Sequence, residues 1–286
     1  MKLSKLFSQK NSTLSFEVFP PKTWDDFESV KCATEEIARL KPDFMSVTYG
    51  AGGGTSETTI SIAENIYKNF GVTPLAHLTC VSSDKAKVTD QLNKLKSLGI
   101  NNILALRGDI PEGVEVSRDY SHASQLISDI KSVGDFCIGA ACYPEGHPES
   151  ATQKEDIKYL KEKVDMGCDF LTTQMFFDND ILYNFLYKIR EAGITVPVVA
   201  GIMPVTNGKQ IARICRLSGT YLPRRFVAIV DKFGDNPMAM KQAGVAYATE
   251  QIIDLLANGV KNIHVYTMNK PDIAAKIQEN LSEILK

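Results

Sequence analysis

Residues 136–176 read FCIGAACYPEGHPESATQKEDIKYLKEKVDMGCDFLTTQMF. The stretch opens on an apolar run, Phe136–Cys142, too short for a helix and bounded by a loop rich in Pro and Gly. A helical stretch follows from Gln153. Gly167 closes it at a position where a left-handed C-terminal residue is needed. A second apolar run, Phe170–Phe176, completes the pattern. Strand, crossover helix and strand in this order make a parallel βαβ unit.

The same alternation runs outward in both directions. Strand-like runs occur at Leu14–Phe19, Phe44–Tyr49, Pro74–Cys80, Asn102–Leu106, Phe136–Cys142, Phe170–Phe176, Val196–Gly201 and Ile263–Tyr266. The first is followed by the helical stretch Asp25–Leu40, with Phe27, Val30, Ile37 and Leu40 at roughly helical spacing. Later helices are expected to begin near Ser56, Ser83, Ser121, Gln153, Asn179, Asn207 and Pro271. Gly71, Gly99, Gly134 and Gly193 stand, like Gly167, between a helix and the next strand. Eight such units predict an α/β fold with a parallel sheet, and eight is the number that closes a (β/α)8 barrel. A doubly wound open sheet is the competing arrangement. Between Gly201 and Ile263 extra helices (Gln210–Leu217, Pro223–Phe233, Pro237–Asn258) read as an elaborated seventh connection before the last strand. No Pro/Gly/Ser-rich linker marks a boundary, so residues 1–286 read as one barrel domain.

A length of 286 residues suits such a barrel. Thirty-two Lys and Arg against 34 Asp and Glu leave a net charge of −2, which argues against a nucleic-acid partner. No apolar run approaches the ~20 residues of a membrane span, and the N-terminus lacks the apolar core of a signal peptide. The six cysteines form no CxxC pair. They read as reduced core residues of a cytoplasmic protein. No two histidines are close in sequence, so a metal site is not expected.

In a barrel the site lies at the C-terminal ends of the strands, and there the chain places polar groups. Glu17 stands among Phe16, Val18 and Phe19. A partly desolvated carboxyl has a raised pKa and serves as a general acid; a structural ion pair is the alternative. Arg107-Gly108-Asp109 ends the fourth strand. Arg107 suits a phosphate, Gly108 lets a ligand approach the backbone, and Asp109 suits an amine-rich heterocycle; a strand-end salt bridge with a turn glycine explains the three equally well. The run GAGGGTSE after Tyr49 has Thr55 where the last glycine of a dinucleotide fingerprint belongs and lacks a phosphate-loop lysine, so it reads as a βα loop. His77, embedded in a strand, reads on its own as a satisfied buried histidine. His147 lies in a loop, as a ligand contact or an exposed ring. Tyr266 and Phe176-Phe177 read as packing residues. No strand carries a central lysine for a Schiff base, which disfavours an aldolase-like lyase.

Taken together, SFEVFPPK, SVTYGAGG, HLTC, ALRGD, ACYPEGHPE, TQMFFD, GIMPV and HVYTMN, in this order, resemble the methylenetetrahydrofolate reductase family in its short bacterial form, from about Leu14 to Asn269. The resemblance implies a TIM barrel that holds FAD without a Rossmann fingerprint. It implies reduction of 5,10-methylenetetrahydrofolate to 5-methyltetrahydrofolate by ping-pong hydride transfer from NADH or NADPH, for methionine synthesis or one-carbon metabolism. Carried over, Glu17 is the general acid and Asp109 sits between flavin and folate. The implied FAD contacts are Tyr49, Ala51, His77, Arg107, Gly108, Asp109, Tyr143, His147, Asp156 and Lys163. Thr48 and Gln174 would meet nicotinamide or folate, and Gln210, Tyr266 and Lys270 the folate. Lys270 stands where the family often has arginine, and Tyr159 and Glu162 stand where polar or basic FAD contacts are expected. Homo-oligomers are implied, and a regulatory domain is not. Two other readings stay open: a folate-binding subunit fed electrons by a partner protein, and a non-redox pterin-binding barrel.

Overall fold

The computed structural model describes residues 1–21, 24–49, 56–110 and 119–286. Eight strands form a closed parallel barrel in sequence order: β1 (Thr13–Val18), β2 (Phe44–Val47), β3 (Thr73–Thr79), β4 (Asn102–Leu106), β5 (Cys137–Cys142), β6 (Phe170–Thr173), β7 (Val198–Ile202) and β8 (Asn262–Tyr266). The open-sheet alternative is thereby excluded. Each predicted strand is present, with ends shifted by up to three residues. The largest shift is at β6, where Gln174 leaves the ladder and its N–H donates to the Cys142 carbonyl (2.7 Å).

The outer layer is helical: α2 (Phe27–Arg39), α3 (Ser56–Phe70), α4 (Lys85–Ser97), α5 (Ala123–Val133), α6 (Gln153–Asp165), α7 (Asn179–Glu191) and α11 (Pro271–Asn280). The seventh connection carries α8 (Gly208–Ser218), α9 (Arg224–Phe233) and α10 (Pro237–Ala257), the expected elaboration. Of the five glycines read as left-handed helix ends, Gly71, Gly99, Gly167 and Gly193 have positive φ. Gly134 does not: its φ of 178° is extended backbone, so no left-handed turn is needed there.

One element escaped the sequence reading. Helix α1 (Leu3–Gln9) lies across the N-terminal end of the barrel. Its Leu3 and Leu6 pack with Phe44, Leu75, Leu104, Cys137, Phe170 and Val199, and Phe7 rests against them. Phe7 meets Phe44 and Phe170 edge-on, with ring centroids 6.0 and 5.3 Å apart. The bottom of the barrel is therefore a dry plug.

Strand alternation sorts the remaining side chains. On β1, Leu14, Phe16 and Val18 join the core between barrel and helices, which leaves Ser15 and Glu17 facing the lumen. Register then fixes their neighbours: Glu17 is level with Ser46 on β2 and Tyr266 on β8, and Ser15 is level with His264. Gly201 on β7 makes room for one of these, since a Cβ there would lie 2.4 Å from the Tyr266 hydroxyl.

Candidate active site

Above the plug the lumen turns polar. The His264 ring lies on the Phe44 ring, with centroids 5.6 Å apart and planes 7° from parallel. Ser15 Oγ donates to the Ile263 carbonyl (2.9 Å), so the 2.8 Å contact between Ser15 Oγ and His264 Nδ1 places a proton on Nδ1. On the other side, Ser46 Oγ is 2.9 Å from His264 Nε2 and 3.2 Å from Glu17 Oε2. Ser46 owns one proton. Both of its contacts are hydrogen bonds only if one further proton is shared between Nε2 of His264 and the carboxyl of Glu17. The row therefore stores a single proton, with the serine hydroxyl between its two ends.

His77 completes the cluster, its Nε2 3.6 Å from Glu17 Oε2. It is 8% exposed. Contrary to the sequence reading of a satisfied histidine, Nε2 has no hydrogen-bond partner, because the groups level with it on β4 are apolar. Burial pushes its imidazole down to about 4, the Glu17 charge opposing and His264 adding to the shift. Glu17 also departs from expectation. Burial raises its pKa, but the hydrogen bond and charge of His264, the charge of His77 and the Ser46 hydroxyl outweigh it, so the net shift is downward. The main chain is pinned as well: Thr267 Oγ1 donates to the Glu17 carbonyl (2.7 Å). The Asn269 side chain brackets Phe19, accepting from its N–H (3.0 Å) and donating to its carbonyl (2.9 Å).

Glu17 opens onto a cleft of about 700 Å³ that also takes in Asp109, so both acids singled out in the sequence face one space. Thr48, Tyr49, His77, Arg107, Gly108, Tyr143, His147, Asp156, Lys163 and Gln174 line it too. Ala51 lies outside the described residues. Three expected contacts are not part of the lining. Tyr266 donates to the Thr173 carbonyl (2.5 Å), Lys270 reaches Thr206 Oγ1 (2.6 Å), and Gln210 is exposed on the first turn of α8.

The walls are preorganised. Gly108 has φ +90°, and a Cβ on it would come within 3.0 Å of Val81 and 3.2 Å of Thr79. Both the left-handed backbone and the close packing of Val81 and Thr79 therefore require a glycine at this strand end. Arg107 grips Glu149 through both terminal nitrogens, at 2.6 and 2.7 Å. Tyr49 accepts from Gln91 Nε2 (3.2 Å). His147 Nδ1 accepts from the Glu149 N–H (3.1 Å), which leaves the proton of the neutral ring on Nε2, and the ring sits edge-on to Tyr143 at 4.6 Å. Burial pushes the Tyr143 hydroxyl up to about 12, with help from the Asp109 and Asp156 charges. Asp156 is raised by burial, against Lys163 and the N–H of His147. Lys163 is lowered by burial; its Nζ donates to the Ala141 carbonyl (2.9 Å).

A closed barrel with its ionisable groups gathered at the C-terminal strand ends falls in the large class that does its chemistry there. Within that class, the methylenetetrahydrofolate reductase family model matches residues 2–282, and the chain belongs to that family. The 5,10-methylenetetrahydrofolate reductase of Escherichia coli (strain K12) is 34% identical over 273 residues, covering 96% of this chain and 92% of the relative. "Methylenetetrahydrofolate reductase (NADH) 1" of Arabidopsis thaliana is 37% identical over 298 residues, covering 99% of this chain and 50% of the relative. The chain thus spans about half the length of the plant relatives it matches. Among solved structures, an uncharacterized Clostridium thermocellum protein that binds two copies of 5-methyl-5,6,7,8-tetrahydrofolic acid superposes with a TM-score of 0.71 over 99% of this chain and all of its own. Its sequence identity is 14%, a likeness of fold.

Sequence reasoning singled out Glu17 but gave no role to Ser15, Ser46 or His264. The available signal was a polar residue at alternate positions of a strand, Ser15 and Glu17, and a histidine inside the last one. Pairing them needs the strand register.

Proposed function

We propose that the protein reduces 5,10-methylenetetrahydrofolate to 5-methyltetrahydrofolate, using NADH or NADPH and a bound FAD. The observation that carries this reading is Glu17 with its shared proton, in the same cleft as Asp109 and Arg107.

The residues present fit a flavin dinucleotide. The cleft volume is in the range of cofactor sites. Gly108 lines the cleft at the strand end, Arg107 would turn its fork from Glu149 to a diphosphate, and His77 brings a buried ring nitrogen that has no hydrogen-bond partner. Arg107, Gly108, Tyr143, His147, Asp156 and Lys163 would hold the group. A flavin held there would supply hydride transfer between nicotinamide and folate.

Glu17 does the proton work. Opening the bridging ring of the folate requires a proton at the departing nitrogen. Glu17 supplies it from the carboxyl end of the row. Where that one proton rests on His264 Nε2, Ser46 relays it to the carboxyl before the transfer, taking it up as it passes its own hydroxyl proton on. After the transfer His264 is neutral at Nε2, and a new proton must enter from solvent. His264 keeps its orientation throughout, because Nδ1 is tied to Ser15. Asp109 places its charge beside the developing cation of the substrate, where a sheltered site makes it effective. Thr48 and Gln174, also on the cleft wall, orient the two reactants.

The experiment is spectroscopic. The purified protein should be yellow, bleach when NADH is added without oxygen, and regain colour on addition of methylenetetrahydrofolate. A protein that takes up no FAD, or one whose bleached form is indifferent to the folate, overturns the proposal.

A further inference from the structure

We propose that a cavity between α2 and α3 is a second ligand site, outside the cleft, for a small aromatic monocarboxylate with a polar group opposite its carboxylate. The cavity measures about 190 Å³ and lies in the outer helical layer. Its walls are apolar: Phe27 and Val30 from α2, Ile62 from α3, and Pro21 from the connection that leaves β1. On α2 the lining follows the spacing i, i+3, i+4, i+7 through Lys31 and Thr34, which is one face of the helix. An apolar cavity of about 150 Å³ takes up benzene, so a single ring fits here.

Two polar groups on that face set the chemistry of the occupant. Thr34 is 1% exposed, and its hydroxyl has no hydrogen-bond partner. A helical threonine ordinarily finds one in the carbonyl a turn back. A buried hydroxyl without a partner is costly, and an occupant that brings its own hydroxyl relieves the cost. Lys31, one turn earlier, is exposed and makes no ion pair or hydrogen bond among the described residues. Its free ammonium attracts a carboxylate. Glu35, the acid beside Thr34, is not part of the lining: its carboxylate accepts from Asn65 Nδ2 (3.3 Å) and Arg39 Nη2 (3.5 Å). A ring with a carboxylate at one end and a hydroxyl at the other therefore matches Lys31, the apolar walls and Thr34. This site stands apart from the flavin reading. Through Pro21, four positions past Glu17, its occupant touches the connection that follows the acid.

The test titrates the full chain with 4-hydroxybenzoate, benzoate and benzyl alcohol, read by NMR of the isoleucine and valine methyls. 4-Hydroxybenzoate should bind tightest and saturably, with nuclear Overhauser contacts to the methyls of Val30 and Ile62. Lys31→Met should weaken both benzoates about ten-fold and leave benzyl alcohol unchanged. Thr34→Val should weaken 4-hydroxybenzoate about five-fold, to the level of benzoate. Without any probe, Thr34→Val should hold or raise Tm, because it removes an unpaired hydroxyl at nearly equal size; this also reports that the variant folds. A fall in its Tm would mean that the hydroxyl is already paired, and would overturn the site. So would absence of binding at millimolar probe, contacts confined to methyls outside the α2–α3 cavity, or a preference for the hydroxyl that survives in Thr34→Val.

Discussion

Glu17 illustrates how neighbours on other strands reverse what burial alone predicts. Its carboxyl is held low by His264, His77 and Ser46 against the effect of burial, so its contribution to stability is complete at neutral pH and fades as pH falls through its folded value. His77 works in the same direction. With its imidazole near 4 instead of 6.5, the unfolded chain binds the extra proton first. Stability from this residue is full above about 6.5 and erodes toward 4, by on the order of 3 kcal/mol. The gap in urea midpoint between wild type and His77→Gln should therefore shrink between neutral pH and about pH 5; a constant gap would mean that His77 is not held neutral. Glu17→Gln should leave bleaching by NADH largely intact and reduce folate turnover by about 10²-fold or more, measured as separate half-reactions by stopped flow. At this scale the sequence was half legible. A carboxylate between Phe16 and Val18 is conspicuous on its own. Ser46 and His264 are 29 and 247 positions from it, and only register brings them within hydrogen-bond reach of one row.

Elements read more easily than residues. Short apolar runs separated by amphipathic stretches gave all eight strands, because parallel strands buried on both faces carry an unbroken apolar signal. Helix α1 was missed for physical reasons. It has seven residues and no side-chain cap, and its stability comes from the barrel floor it covers, not from its own propensity. That dependence is measurable. Leu6 is 3% exposed within the plug, so Leu6→Ala should cost roughly 2–5 kcal/mol, read from urea unfolding. Flavin affinity should be unaltered, since the plug lies below the His264 layer. A loss of less than about 0.5 kcal/mol, the range of surface substitutions, would show that α1 does not seal the floor.

At the scale of the molecule, the thiols report how the layers are closed. Five of the six cysteines are buried, Cys32 alone is exposed, and none is paired in a disulfide. A thiol reagent should therefore label one cysteine promptly in the folded protein and all six in denaturant; rapid labelling of several would mean that the barrel breathes.

The seam between β1 and β8 joins Thr13 to Asn262 and Ser15 to His264, pairs separated by 249 positions. The proton row straddles that seam. A growing polypeptide on the ribosome can thus complete seven strands and still lack the proton row, because His264, the end that Ser46 links to the carboxylate, comes only with the eighth. Acid competence arrives with closure, as the final product of folding, and two fragments cut in any intervening loop would regain it only by reassociating.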